Sequence, residues 1–216
     1  MSLDLSYIAD PVGIERESFR QIRQLTDLSA FSREEQQVVM RIVHSVGMPE
    51  IASQVRFSAN ACQSGLAALS NNEHRILCDV EMVKQGITKR MIDREPLCFL
   101  NHSETQSLAK ERGETRSMAA LELWRPRLKG SVVLIGNAPT ALFRLLEMIH
   151  QGADRPALII GMPVGFVGAE ESKAALWQSH QDLEIECITL LGRQGGSAVT
   201  SASCNALLRC LRGEFY

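Results

Sequence analysis

Apolar residues in the first third of the chain recur at roughly the spacing of an α-helix. Residues 14–28 carry theirs on one face, and this pattern predicts an amphipathic helix that packs against the rest of the protein. The apolar residues of this segment are Ile14, Phe19, Ile22 and Leu25. A further helix is predicted over residues 59–69, so we expect the chain to begin with helices.

The second predicted helix has its own start and stop signals. Ser32 and Glu35 form a Ser-x-x-Glu capping box, in which each side chain accepts a hydrogen bond from the backbone N–H of the other. The helix should run to about Ser45, before Gly47 and Pro49 end it. The residues expected to face inward are Val38, Val39, Ile42 and Val43.

After residue 71 the pattern changes to short, uninterrupted apolar runs separated by segments of helical length. The predicted strands are residues 75–80, 97–100, 131–136, 157–161 and 186–191. The predicted helices among them are residues 115–123, 140–150, 170–178 and 197–211. Strands that are apolar on both faces and alternate with helices indicate a parallel sheet covered on both sides. We therefore expect one α/β domain over residues 1–216, an open parallel sheet preceded by helices.

Charge and cysteine content exclude several classes of partner. The 23 basic and 25 acidic side chains give a net charge of -2, without the basic surface that nucleic acid or an anionic membrane requires. No apolar stretch approaches the roughly 20 residues that cross a bilayer, and residues 1–10 lack the features of a signal peptide. The six cysteines show no zinc-ligand spacing. We expect a cytoplasmic protein with reduced thiols, no metal, and neither nucleic acid nor a membrane as partner.

Glycine-containing loops follow three of the predicted strands, at residues 136–141, 161–168 and 192–197. The carboxyl ends of parallel strands share one sheet edge, where α/β proteins bind ligands. Glycine lets a ligand approach the backbone, and N–H groups at the following helix start attract anions. The candidate binding residues of these loops are Asn137, Thr140, Gly161, Gly165, Arg193, Gly195, Gly196 and Ser197. Taken singly, each loop is also explained as a tight strand-to-helix turn.

The residues around these glycines favour a large flat ligand over a bare phosphate. Phe166 and Val167 put apolar surface beside them, and Arg193 offers a planar guanidinium to a carboxylate or phosphate. Neither of the glycine-rich nucleotide fingerprints occurs. Arg116 follows Thr115 at a predicted helix start, and it either faces solvent or reaches an anion at this edge.

A second candidate site lies near the end of the predicted helix that Ser32 opens. Arg41 and His44 are three residues apart and therefore neighbours on one helical face. A histidine exchanges protons near neutral pH, and an arginine beside it could hold an anionic substrate. The alternative is that His44 simply interacts with the carboxyl end of its helix, close to Gly47. The spacing by itself leaves both interpretations open.

Seven segments together resemble one protein family over nearly the whole chain. They are residues 41–47, 55–58, 76–88, 115–117, 136–146, 155–173 and 192–198. The blocks GNAPTALF and GMPVGFVGAEESK are long and unusual, and they occur in order after predicted strands. On these motifs the chain resembles the precorrin-8X methylmutases, also called precorrin isomerases.

This resemblance implies a flavodoxin-like parallel sheet and a homodimer whose active site lies at or near the subunit interface. It implies an isomerase of cobalamin biosynthesis, which moves a methyl group between adjacent ring C carbons of precorrin-8X to give hydrogenobyrinate. The family histidine falls on His44, as proton donor and acceptor, and substrate-binding positions fall on Ser18 and Arg41. An intramolecular shift needs no cofactor, and a proton delivered to the macrocycle can assist it.

Three other functions remain open at this point. The substrate could be cobalt-precorrin-8, since no residue type here reads out the metal. The chain could be a non-catalytic tetrapyrrole-binding protein, which would need the arginines and the glycine loops but not His44. A flavin or nucleotide binder would rest on fold analogy alone.

Overall fold

The computed structural model describes residue 5 and residues 7–216. The helices are α1 Pro11–Leu25, α2 Arg33–Val46, α3 Ala61–Ser70, α4 Glu81–Gly86, α5 Ser103–Arg112, α6 Arg116–Ala120, α7 Pro139–His150, α8 Ala169–Ser179 and α9 Ser197–Leu211. The strands are β1 Val55–Phe57, β2 Ile76–Cys78, β3 Leu97–Cys98, β4 Val132–Ile135, β5 Leu158–Gly161 and β6 Cys187–Leu190. Short 3₁₀ helices cover Pro49–Gln54, Lys89–Met91 and Leu121–Arg127.

The capping box predicted for α2 is confirmed by its hydrogen bonds. The Glu35 N–H donates to the Ser32 hydroxyl oxygen at 3.4 Å, and the Ser32 N–H donates to the Glu35 carboxylate at 2.8 Å. Gly47 ends the helix in the left-handed region, with φ of 70°. The predicted inward face of α2 is buried. Local sequence signals therefore fix both ends of the helix that carries His44.

The five predicted strands form the parallel part of one sheet, β2 to β6. The strand order is β1-β6-β5-β4-β2-β3. With the parallel strands numbered along the chain, that order is 2-1-3-4-5, the flavodoxin-like arrangement. The direction of winding reverses between β2 and β4, and this switch point is where such sheets usually bind ligands. The predicted fold class is confirmed.

A sixth strand, β1, was not predicted. It pairs antiparallel with the edge strand β6, with Val55 opposite Leu190 and Phe57 opposite Ile188. Three residues with one charged side chain among them show too little alternation to be recognised as a strand. β1 begins directly after the 3₁₀ helix Pro49–Gln54, so it ties the segment that follows α2 to the carboxyl end of β6.

Helices cover both faces of the sheet, as expected. On β4, Val132 and Leu134 face a core shared with α1, α2, α3 and α9. Val133 and Ile135 face the other core, with α7 and α8. This alternation is the period of two of a strand buried on both faces. None of the helices in the described part of the chain has the length and apolar character needed to cross a membrane.

Candidate active site

Phe19 of α1 lies at the centre of a group of contacts between α1 and α2. Its ring is buried, and the imidazole of His44 stacks on it with centroids 5.3 Å apart and planes at 15°. The guanidinium carbon of Arg41 lies 4.4 Å from the same centroid. The structure therefore brings together the predicted acid–base residue and a predicted binding residue, on one face of α2.

Arg41 is held from its other side by a carboxylate that sequence reasoning missed. The Nη2 atom of Arg41 lies 2.7 Å from the Glu15 carboxylate on α1, and Arg209 of α9 reaches the same oxygen at 3.2 Å. A guanidinium has five N–H donors, and the hydrogen bond to Glu15 uses one of those of Arg41. Arg41 can therefore be fixed by Glu15 and still bind a carboxylate of a ligand.

The surroundings of His44 lower the pKa of its imidazole. Partial burial is the largest cause, the charge of Arg41 lowers the pKa further, and Glu15 acts in the opposite direction. The ring is nevertheless accessible to solvent. A neutral, accessible imidazole can accept a proton, and once protonated it is a stronger acid than an ordinary histidine.

Ser18 precedes Phe19 on α1, and its hydroxyl donates a hydrogen bond to the carbonyl oxygen of Ile14 at 2.8 Å. The hydroxyl oxygen can still accept a hydrogen bond from a ligand.

A groove of about 470 Å³ opens along another side of α1. Among its lining residues are Arg16, Arg20, Arg23, Phe215 and Tyr216. Basic and aromatic surface thus adjoins the Arg41 and His44 pair.

The loop after β4 is held by Asp79, a second carboxylate that sequence reasoning missed. Asp79 directly follows β2, is 2% exposed, and accepts the backbone N–H groups of Gly136, Asn137 and Ala138 at 3.1, 2.8 and 2.9 Å. Burial raises the pKa of Asp79, and these three hydrogen bonds lower it in part. At this loop, the backbone N–H groups that directly precede α7 are therefore taken by the protein itself.

Thr140 and Arg116 lie at the same edge of the sheet. The hydroxyl oxygens of Thr140 and Thr115 are 3.1 Å apart, which joins the starts of α7 and α6. The Arg116 guanidinium donates a hydrogen bond to the side-chain oxygen of Asn101 at 3.3 Å. Arg116 therefore faces an uncharged partner, and its remaining donors can serve a ligand.

The loops after β5 and β6 are locked to each other. The N–H of Gly196 donates to the Met162 carbonyl at 2.8 Å, and the N–H of Gly165 donates to the Arg193 carbonyl at 3.4 Å. The ammonium group of Lys173, fully buried on α8, donates to the carbonyl of Gln194. Gly165 and Gly196, which were predicted to bind the ligand, therefore also hold the two loops together.

The other candidates in these loops differ in accessibility. Gly161 is buried, and a side chain there would meet Leu176. Ser197 is 7% exposed at the start of α9. Arg193 is exposed, 3.6 Å from the Glu170 carboxylate and 6.0 Å from the centre of the Phe166 ring.

Apolar side chains also reach solvent at this edge of the sheet. Phe166 and Val167 are each 88% exposed, so the expected apolar surface lies beside the glycine loops. The loops after β4, β5 and β6, together with Arg116, are called the rim below. Gly195 has φ of 155° and lies against the Met162 carbonyl, which leaves no room for a side chain there. The rim thus combines backbone that fits closely with apolar surface that is open to a ligand.

The rim contacts the chain just beyond the end of α2. The side-chain nitrogen of Gln194 lies 3.6 Å from the sulfur of Met48, two residues beyond the end of α2. The His44 ring stacks on α1 near the end of α2, so the rim adjoins the end of the helix that carries His44. A flavodoxin-like sheet with an accessible histidine, a carboxylate-binding arginine and an apolar rim defines a small-molecule enzyme of the α/β class.

Comparison with known proteins narrows that class to one family. The family model of precorrin-8X methylmutase (CbiC) matches residues 13–210. The precorrin-8X methylmutase of Sinorhizobium sp is 49% identical over 95% of this chain and 98% of that protein, and that of Pseudomonas aeruginosa is 44% identical over 94% and 97%. The crystal structure of precorrin-8x methyl mutase from Thermus thermophilus superposes with a TM-score of 0.83 at 37% identity, over 95% of this chain and 98% of that one. The chain belongs to the precorrin-8X methylmutase family, and it is an isomerase of cobalamin biosynthesis.

Proposed function

We propose that this enzyme converts metal-free precorrin-8X to hydrogenobyrinate, with His44 as the acid–base residue. The observation that carries this assignment is the stacking of the accessible His44 ring beside Arg41 on Phe19. The choice of the metal-free substrate is supported by the relatives. Those at 49% and 44% identity are named precorrin-8X methylmutase, whereas the cobalt-precorrin-8 methylmutase of Methanocaldococcus jannaschii is 34% identical over 87% of this chain and 85% of that protein.

The reaction requires the transfer of a proton and consumes no external reagent. The methyl group leaves one ring C carbon for its neighbour, and substrate and product contain the same atoms. In the proposed mechanism the imidazolium form of His44 protonates the macrocycle, the π system shifts as the methyl group migrates, and the neutral imidazole then takes the proton back. General acid–base groups of this kind typically contribute about 10²–10⁴-fold to a rate.

The substrate carries several carboxylates around a flat apolar ring. In this proposal Arg41 and Ser18 bind it next to His44, while the rim supplies further contacts over the ring and its edge. The proposed rim residues are Arg116, Asn137, Thr140, Gly161, Gly165, Arg193, Gly195, Gly196 and Ser197, of which the buried Gly161 supports the others from below. The exposed Phe166 and Val167 would cover apolar parts of the macrocycle.

We further propose that the enzyme works as a homodimer in the cytoplasm, with the active site near the subunit interface. Within one protomer the rim contacts the chain just beyond the end of α2, at Met48 and Gln194. A partner protomer would then close the site over a ligand that extends from His44 to the rim.

The test is the absorption spectrum of the purified enzyme mixed with precorrin-8X and followed over time. We expect the spectrum to change as the chromophore rearranges, and faster than with cobalt-precorrin-8 assayed in parallel. His44→Ala should still bind pigment while turnover falls by at least about 10²-fold. His150→Ala, at the exposed end of α7, is the matched control and should behave as wild type. Normal turnover by His44→Ala would refute the mechanism, and pigment binding without any turnover by the wild type would indicate a carrier protein.

A further inference from the structure

We propose that Tyr216 is a positioning residue of this active site, which holds Phe19 and Glu15 and through them sets the places of His44 and Arg41. The inference deepens the proposed function and rests on the role given there to His44. Tyr216 is the last residue of the sequence, 172 positions after His44, and nothing in the motifs points to it. Its contacts with the site come from three directions.

The ring of Tyr216 forms one contact. It stacks on Phe19 with centroids 4.1 Å apart and planes at 13°, and the His44 ring stacks on that same Phe19. The guanidinium carbon of Arg41 lies 5.1 Å from the centre of the Tyr216 ring. Aromatic stacking and cation–π contacts of this kind are favourable and depend on geometry. Tyr216 thus touches both the platform of His44 and the guanidinium beside it.

The hydroxyl group forms the second contact. Arg209 donates a hydrogen bond to it at 3.2 Å. Arg209 also reaches the Glu15 carboxylate at 3.2 Å, so its guanidinium bridges the hydroxyl and Glu15. Burial raises the pKa of Tyr216, whereas the pKa of Glu15 falls below its ordinary value because its polar partners outweigh its burial. Because Glu15 is also the partner of Arg41, the Tyr216 hydroxyl acts through Arg209 on the carboxylate that orients Arg41.

The backbone of Tyr216 forms the third contact, with a buried polar side chain. Gln37 is 4% exposed on α2, one turn before Arg41. Its carbonyl oxygen accepts the Tyr216 N–H at 2.9 Å, and its amide group donates to the Tyr216 carbonyl at 3.3 Å. Arg23 of α1 donates to that carbonyl as well. If Tyr216 left this position, a buried amide would lose two partners, so the docking of Tyr216 is strongly favoured.

Three variants distinguish the contribution of the Tyr216 ring from that of its hydroxyl group. Tyr216→Ala removes ring and hydroxyl, Tyr216→Phe removes the hydroxyl alone, and Tyr216→Leu keeps apolar bulk in case the alanine variant folds poorly. Phe215→Ala is the matched control, because the neighbouring ring packs under Arg33 at the start of α2, 3.8 Å from its guanidinium carbon. Circular dichroism and thermal unfolding of all four variants establish that each is folded.

The decisive measurement is an NMR titration of the His44 ring in the free protein. The charged groups that face this cluster are Glu15 and Arg23 of α1, Arg41 of α2, Arg209 of α9 and Glu214, which pairs with Arg209. Loss of the Tyr216 ring opens the cluster to water, so the pKa of His44 should rise toward its ordinary value in Tyr216→Ala and Tyr216→Leu. It should change less in Tyr216→Phe and stay unchanged in Phe215→Ala. An unchanged His44 titration in the two variants without the ring would overturn the inference.

Enzyme kinetics provide a second test of the role of Tyr216. Misplacement of catalytic groups without direct loss of any of them can cost up to about 10²-fold in rate. We expect kcat to fall roughly 10- to 100-fold in Tyr216→Ala, with substantial rescue in Tyr216→Phe, whereas a purely structural role would lower only the unfolding temperature. Should His44→Ala turn over normally, the proposed mechanism would fail, yet the titration would still decide whether Tyr216 positions His44.

Discussion

The carboxylate of Asp79, at the end of β2, accepts the backbone N–H of Asn137, in the turn after β4, at 2.8 Å. These two strands flank the switch point of the sheet, where flavodoxin-like proteins bind their ligands. Asp79 also accepts the neighbouring N–H groups of Gly136 and Ala138. A phosphate of a flavin or nucleotide would find these donors occupied, and this argues against the flavin interpretation of the fold.

Replacement of Asp79 by asparagine should therefore loosen the loop that carries Asn137 and Thr140. The new amide keeps one acceptor oxygen but turns an NH₂ group toward backbone donors. Hydrogen bonds to a charged group typically contribute about 1.5–3 kcal/mol, and we expect a loss of that size in the free energy of unfolding, measured with denaturant. Asp182→Asn, at an exposed site, should change it by less than about 0.5 kcal/mol. Equal stability of the two variants would contradict this role for Asp79.

The sequence predicted the parallel sheet because each of its strands is an uninterrupted apolar run. Among the elements that the sequence did not predict, β1 and α5 show why. β1 has three residues and exists because β6 offers it a free edge, which is a tertiary effect. α5, Ser103–Arg112, is polar on nearly all sides, so no apolar periodicity marks it. Its start is set instead by the ring nitrogen of His102, which accepts the N–H of Glu104 at 3.4 Å.

Neutralising Arg41 should raise the pKa of His44. The positive charge of Arg41 disfavours the imidazolium, and Glu15 favours it, so Arg41→Gln should raise this pKa and Glu15→Gln should lower it further. An NMR titration of the ring in the free protein measures both shifts. Arg33→Gln, on the first turn of the same helix, is the control and should leave the titration unchanged. A fall in the His44 pKa in Arg41→Gln would show that burial or rearrangement outweighs the charge.

The lowered pKa of His44 also affects how the stability of the fold depends on pH. Because the His44 pKa lies below its ordinary value, the unfolded chain binds this proton more readily than the folded protein does. The group therefore weakens the fold as the pH falls below about 6.5, and Arg41→Gln should reduce that part of the acid sensitivity. Unfolding curves at several pH values between about 5 and 8 would measure this difference.

Only part of the candidate site could be predicted from the sequence. Arg41 and His44 are three residues apart on one helix, so helical geometry makes them neighbours. Glu15 and Arg209 contact each other across 194 positions of sequence, and their contact depends on how α1 and α9 pack. Lys173 ends the unusual GMPVGFVGAEESK block, but its complete burial and its hydrogen bond to Gln194 are properties of the folded loops.

Replacement of Lys173 by methionine should make the free energy of unfolding depend less on pH in the alkaline range. Burial lowers the pKa of Lys173 from 10.5 to about 8, against the opposing charge of Glu170. The buried ammonium therefore weakens the fold below pH 8, and this cost is relieved as the pH rises from about 8 toward 10.5. Lys173→Met should lack this relief and should raise KM, since the Gln194 carbonyl loses its partner. Lys129→Met, on the surface, should keep the wild-type profile, and identical profiles for both variants would refute the assignment.

Two glycine substitutions distinguish the cost of backbone strain alone from the added cost of a steric clash at the rim. Gly195 and Gly113 both have positive φ, 155° and 63°, but a Cβ at Gly195 would lie 2.3 Å from the Met162 carbonyl oxygen, whereas nothing lies within 4 Å at Gly113. Gly113→Ala should cost about 1–2 kcal/mol from the backbone alone. Gly195→Ala adds a clash with backbone that cannot rotate away, so we expect a loss of about 2–5 kcal/mol in unfolding free energy. The displaced loop carries Arg193, so kcat/KM for precorrin-8X should also fall in Gly195→Ala and stay near wild type in Gly113→Ala. If both variants were equally stable and equally active, the close packing of the loops after β5 and β6 would have no role in the site.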